Sequence, residues 1–133
     1  MEGRYRYRTA LGRARGLGAA GHGAGHWLSE RVSSLALVPL VLWIAYAGLQ
    51  LAGAGYDGAV EWVREPLNAV LLVLLLAVSF HHMHAGMRVV IEDYIDKAMT
   101  RAGVLLINLF VCVLFGALAV FSVLKVALSG GAF

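Results

Sequence analysis

Residues 66–94, PLNAVLLVLLLAVSFHHMHAGMRVVIEDY, decide the fold of this chain, because the first 22 of them carry no Asp, Glu, Lys or Arg. An α-helix rises about 1.5 Å per residue, so about 20 apolar residues cross the ~30 Å hydrocarbon layer of a membrane. Two further stretches, 32–56 and 102–124, are also free of charged side chains. The sequence therefore predicts an all-α integral membrane protein with three transmembrane helices.

The three spans define the domain organisation. We place them at residues 32–54, 66–88 and 102–126, to within a few residues, inside a membrane-anchor domain that covers 26–128. A cytoplasmic basic arm, residues 1–25, precedes this domain, and a C-terminal tail, residues 129–133, follows it.

The composition excludes several classes of protein. Of the 133 residues, 60% are hydrophobic and 14% are charged, whereas about a quarter of an average soluble domain is charged. The single cysteine, Cys112, lies in the third span, so the chain holds no disulfide framework, cysteine zinc site or iron-sulfur cluster of its own. The net charge of +3 comes from basic residues that flank the spans, which indicates membrane topology and not nucleic-acid binding.

The basic residues also predict the orientation. Of the 11 Lys and Arg residues, only Arg64, in the first loop, and Lys125, at the end of the third span, lie on the opposite side from the other nine. The positive-inside rule therefore places the N-terminus and the second loop in the cytoplasm and the C-terminus in the periplasm. The arginines of the basic arm are explained by this orientation, with contact to anionic lipid headgroups; docking onto a soluble partner is the alternative.

Three histidines, His81, His82 and His84, lie close together near the end of the second span. Polar groups in a membrane helix are costly, and they indicate function by default. The histidines are consistent with interfacial side chains that stabilise the helix end, with ligands of a di-iron site, or with an axial ligand of haem. A self-contained di-iron site needs more ligands than the chain's five histidines supply.

Helical geometry limits what the three histidines can do together. At about 100° per residue, His81 and His84 lie about 60° apart, whereas His82 lies well away from both. Two histidines on one side of a helix cannot reach opposite faces of one porphyrin. The chain can therefore supply one axial ligand, and a second chain must supply the other.

The pattern HxxxGMxxVxxDY at residues 82–94 resembles the signature of the smaller hydrophobic membrane-anchor subunit of succinate dehydrogenase, respiratory complex II. In that family a histidine on the second helix precedes a glycine by four residues and an Asp-Tyr pair by eleven, as His82 does here. The segment HWLSERV at 26–32, with LVPL at 37–40, is similar to the family's entry into its first helix. The resemblance covers residues 22–127.

The resemblance implies a role for five residues. His82 would be the axial iron ligand of a b-type haem, and Arg31 and His26 would lie near a haem propionate. Tyr94 would donate a hydrogen bond to a carbonyl of ubiquinone, and Asp93 would hold the polar network of that site. The resemblance gives His81 and His84 no role.

The resemblance also implies a membrane-anchor subunit of succinate:ubiquinone oxidoreductase, at the junction of the respiratory chain and the tricarboxylic acid cycle. Its expected partners are the larger cytochrome b anchor subunit, the iron-sulfur subunit and the flavoprotein subunit, which oxidises succinate. The expected location is the bacterial inner membrane. The alternatives are an anchor of quinol:fumarate reductase and a non-redox membrane scaffold.

Overall fold

A computed structural model describes the backbone of residues 21–129 and the side chains of residues 25 and 27–129. This part of the chain forms four helices and no strand: α1 (Gly21–Leu51), α2 (Gly55–Arg64), α3 (Pro66–Tyr94) and α4 (Ala98–Leu128). The three long helices are apolar enough to cross a membrane, which confirms the all-α prediction with three transmembrane helices. Most of the basic arm, residues 1–20, and the tail beyond 129 lie outside the described residues.

The helices do not end where the charge-free stretches end. α3 continues past the predicted limit of 88 to Tyr94, and Arg88 Nε donates a hydrogen bond to Glu92 Oε1 at 2.8 Å along this extension. Pairs at this spacing stabilise a helix. α1 instead stops at Leu51, and Gly55 follows with a φ of 67°, a conformation that glycine adopts at no steric cost.

The three long helices form an open row. α3 lies in the middle, with α1 on one side and α4 on the other, and α1 does not contact α4 within the described residues. A closed three-helix bundle would bring each helix against the other two. Large side chains such as Leu42, Phe110 and Phe121 therefore remain exposed on the faces of the row, where lipid or further helices can cover them.

Small residues set the spacing between neighbouring helices. Ala47 of α1, Ala69 and Ala85 of α3, and Cys112 of α4 are buried, because small side chains let helix backbones approach closely. Gly116 of α4 makes a similar contact, since a Cβ atom added there would lie 3.2 Å from Cγ of Phe80.

Enlarging Gly116 is expected to destabilise the packing of α3 against α4. Gly116→Val would force Phe80 to move, and overpacking of this kind costs about 1–3 kcal/mol. The measurement is the thermal denaturation of the purified membrane complex. Gly103→Val is the matched control, because a Cβ at Gly103 of the same helix meets nothing within 4 Å; equal destabilisation by both variants would contradict this contact's importance.

The short helix α2 joins the long helices at one end of the row. Trp62 stacks on Trp43 of α1, with ring centroids 5.5 Å apart and an interplanar angle of 25°. Asn68 Nδ2 of α3 donates a hydrogen bond to the Trp62 carbonyl at 3.0 Å, and Arg64 Nη2 donates one to Ser129 Oγ, after α4, at 3.5 Å. The three histidines lie toward the other end of α3.

Candidate functional site

Each histidine of α3 forms a hydrogen bond with a polar side chain of a neighbouring helix. α1 supplies two serines and α4 supplies an asparagine. The pairs are Ser29 Oγ with His81 Nε2, Ser33 Oγ with His82 Nδ1, and Asn108 Nδ2 with His84 Nδ1, each at 3.0 Å. The middle position of α3 in the row allows its histidines to be held from both sides.

His82 lines a cleft between α1 and α3 that also contains Arg31 and Gly86. We call it the His82 cleft; its volume is about 340 Å³, and its lining residues are Glu30, Arg31, Ser34, His82, Gly86 and Val89. A Cβ atom added at Gly86 would meet nothing within 4 Å, so a flat ligand can approach the helix backbone there. The fold thus places Arg31 of α1 beside the His82 and Gly86 pair of α3, which the sequence had identified by its spacing.

The two ring nitrogens of His82 have different surroundings. Nδ1 is bonded to Ser33, whereas Nε2 has no hydrogen-bond partner among the described residues. A neutral imidazole binds a metal through the lone pair of one ring nitrogen. The structure therefore leaves Nε2 of His82 available for such a bond.

The hydrogen bonds of His84 indicate that, in the neutral ring, the proton lies on Nε2 and not on Nδ1. Asn108 Nδ2 donates a hydrogen bond to the His84 carbonyl oxygen at 3.2 Å, and Cys112 Sγ donates one to Asn108 Oδ1 at 3.4 Å. Both bonds identify the atom facing His84 as the amide nitrogen, so Nδ1 of His84 accepts. Neutral His84 then carries its proton on Nε2, and neither nitrogen keeps a free lone pair.

His81 and His84 share a groove that does not include His82, and His81 also lines a pocket between α1 and α3 that contains Ser33. The shared groove is apolar and lies between α3 and α4, where Phe80, Cys112 and other residues also line it, and neither histidine lines the His82 cleft. His81 and His82 thus both contact α1, through Ser29 and Ser33, whereas His84 contacts α4 through Asn108. Unlike Nε2 of His82, the Nε2 atom of His81 forms a hydrogen bond, with Ser29 Oγ.

Arg31 and His26 were predicted to lie near a haem propionate. Arg31 lines the His82 cleft, with its guanidinium carbon 5.5 Å from the centre of the Trp27 ring. This distance allows a cation–π contact. The side chain of His26 lies outside the described residues, so its role stays a prediction.

Asp93 and Tyr94 lie at the end of α3 and not in the His82 cleft. Tyr94 is the last residue of the helix and is 84% exposed; Asp93 is also exposed. Neither side chain has a hydrogen-bond partner among the described residues. Twelve residues of helix separate Tyr94 from His82 by about 18 Å along the axis, so the two positions can serve two different ligands.

No group of three or more His, Cys, Asp or Glu side chains within the described part of the chain could hold a metal ion. Axial ligation of haem needs only one residue from a chain, and the described residues offer His82 for it. Ser29, Ser33 and Asn108 were not predicted from the sequence. The four-residue interval between Ser29 and Ser33 places both on one face of α1. This interval is the sequence feature that could have indicated a polar contact surface for the histidines.

Comparison with known proteins identifies a family. A family model described as "succinate dehydrogenase/fumarate reductase transmembrane subunit" matches residues 5–126. The succinate dehydrogenase hydrophobic membrane anchor subunit of Rickettsia conorii is 31% identical over 110 residues, which cover 82% of this chain and 87% of that protein. The subunit of the same name from Rickettsia bellii is 33% identical over 92 residues, which cover 69% of this chain and 74% of that protein.

A more distant relative, from Paracoccus denitrificans, carries the same name and is 27% identical over 105 residues, covering 79% of this chain and 81% of that protein. No solved structure matches the chain significantly.

Proposed function

The chain belongs to the succinate dehydrogenase/fumarate reductase transmembrane subunit family, as a hydrophobic membrane anchor of the succinate dehydrogenase type, and we propose that it shares a b-type haem and borders a ubiquinone-reduction site. One observation carries the haem part of this proposal: Arg31, His82 and Gly86 line one cleft, and Nε2 of His82 has no hydrogen-bond partner among the described residues.

The residues of the His82 cleft fit a haem. His82 would ligate the iron through Nε2, the missing side chain of Gly86 would let the macrocycle lie against α3, and the Arg31 guanidinium would neutralise a propionate. When bound, the haem supplies a one-electron carrier within the membrane. A second residue to hold the haem would come from the larger cytochrome b anchor subunit, because neither His81 nor His84 lines the His82 cleft.

The quinone part of the proposal rests on the end of α3. Ubiquinone takes up two electrons and two protons to become ubiquinol, and the electrons would come from succinate through the flavoprotein and iron-sulfur subunits. The exposed phenol of Tyr94 can donate a hydrogen bond to a quinone carbonyl, and the nearby carboxylate of Asp93 can hold the polar network around it. Their exposure fits a pocket that other subunits complete.

In this assignment the chain anchors the soluble subunits and takes no part in succinate oxidation. Positive-inside topology would place Tyr94 at the cytoplasmic surface of a bacterial inner membrane, on the side where the iron-sulfur subunit would dock. The relatives reported above are named as succinate dehydrogenase subunits, which favours this direction over the fumarate reductase alternative. A non-redox scaffold would not need a histidine with a free Nε2 in a cleft.

Capture of the complex through an affinity tag on this chain tests the proposed function. We expect a second membrane subunit, an iron-sulfur protein and a flavoprotein to co-purify, and the complex to reduce a ubiquinone analogue with succinate. A tagged chain that captures no flavoprotein from intact membranes solubilised in mild detergent would contradict the proposal.

A further inference from the structure

We propose that Ser33 of α1 is a positioning residue for His82: its hydroxyl accepts the Nδ1 proton and thereby turns the Nε2 lone pair of His82 toward the iron. This inference rests on the proposed haem role of His82. It adds a residue that lies on a different helix from the ligand and outside the sequence pattern at 82–94.

The contact lies in the interface between α1 and α3. Ser33 is only 6% exposed, and among the described residues it is the one polar residue that is buried. Its Oγ atom lies 3.0 Å from His82 Nδ1 and also 3.0 Å from the backbone carbonyl oxygen of Glu30. The hydroxyl therefore sits between a helix carbonyl and the imidazole.

The proposed arrangement assigns a direction to both hydrogen bonds. The Ser33 hydroxyl donates its single proton to the backbone carbonyl oxygen of Glu30, which also accepts from Ser34 Oγ. Oγ is then left with its lone pairs and accepts from Nδ1–H of His82. The neutral imidazole accordingly carries its proton on Nδ1, and Nε2 keeps the lone pair that an axial ligand needs.

Neighbouring histidines show that this arrangement is specific to His82. Asn108 holds His84 in the opposite tautomer, and Ser29 contacts His81 through Nε2 and not through Nδ1. Of the three polar partners, only Ser33 engages the ring through Nδ1 in a way that leaves the lone pair on Nε2. A ligating histidine typically donates its second N–H to such an acceptor, which fixes the ring and raises its basicity.

A positioning role predicts effects that loss of packing alone does not. A more basic imidazole stabilises ferric over ferrous haem, so the hydrogen bond lowers the midpoint potential. Ser33→Ala is expected to shift the midpoint potential to a more positive value and to weaken haem retention by about 10- to 100-fold. Ser33→Thr keeps a hydroxyl and is expected to restore both properties.

The experiment is a potentiometric titration of the haem absorption in the purified complex, with haem retention measured during detergent washing. Ser29→Ala is the matched control, because Ser29 lies on the same helix as Ser33 and its hydroxyl contacts the neighbouring His81. It is expected to keep the potential of the unmodified complex.

A Ser33→Ala complex with an unchanged midpoint potential and unchanged haem retention would overturn the inference. If Ser33→Ala prevents assembly, Ser33→Cys replaces the hydroxyl with a thiol, a much weaker acceptor. That variant is expected to show the same positive shift to a smaller degree, and an unchanged potential would again overturn the inference. Retention of haem by His82→Ala would instead contradict the proposed function itself, so the two failures are distinguishable.

Discussion

Replacing His82 with alanine is expected to abolish the b-type haem absorption of the purified complex, whereas His81→Ala and His84→Ala are expected to keep it. The difference follows from the ring nitrogens. His82 lines a cleft with Arg31 and Gly86, and its Nε2 has no hydrogen-bond partner among the described residues. By contrast, Ser29 contacts Nε2 of His81, and Asn108 donates a hydrogen bond to Nδ1 of His84. The measurement is the reduced-minus-oxidised spectrum at equal protein concentration.

The three alanine variants control for one another, because each removes one imidazole from the same two turns of α3. His84→Ala should lower the stability of the contact between α3 and α4 by about 0.6–1.7 kcal/mol, the range for hydrogen bonds between membrane helices. It should do so without loss of haem. Normal haem absorption in His82→Ala, together with its loss in His84→Ala, would show that the assignment is wrong.

Tyr94→Phe is expected to lower the rate of ubiquinone reduction by succinate about tenfold or more. The variant removes only the phenol oxygen, and a lost hydrogen bond worth ~1.4 kcal/mol in the transition state corresponds to a factor of ten in rate. Succinate oxidation measured with an artificial dye that accepts electrons before the quinone site should be unchanged.

Tyr56→Phe is the matched control for this prediction. Tyr56 lies on α2 and is 83% exposed, close to the 84% of Tyr94, but α2 joins the helices at the other end of the row. Its loss of a phenol oxygen should affect neither activity. Equal reduction of the dye-linked and quinone-linked rates in Tyr94→Phe would indicate disturbed assembly and would count against a role at the quinone.

The number of membrane helices could be predicted because charged residues cannot be placed cheaply in hydrocarbon. The charge-free stretches 32–56, 66–87 and 102–124 therefore indicate the three long helices directly. Their open arrangement could not be predicted, because the choice of neighbours depends on how side chains interdigitate. The extension of α3 to Tyr94 also went beyond the predicted span, since a helix can continue through charged residues once it leaves the hydrocarbon.

The candidate site was predictable to the extent that it lies on one helix. The spacing between His82 and Gly86 fixes their common face on α3 whatever surrounds them. The partners of the histidines, Ser33 above all, depend on the rotation of α1 about its own axis, which the sequence of α1 alone does not determine. Arg31 was predicted through a family resemblance, and it lines the same cleft as His82 and Gly86.

In the proposed function, this chain holds one side of a haem in a membrane complex. The decisive measurement is the reduced-minus-oxidised spectrum of the complex captured through a tag on this chain. We expect a b-type haem spectrum, with one haem per copy of the chain. A fully assembled complex that oxidises succinate but shows no b-type absorption would contradict it.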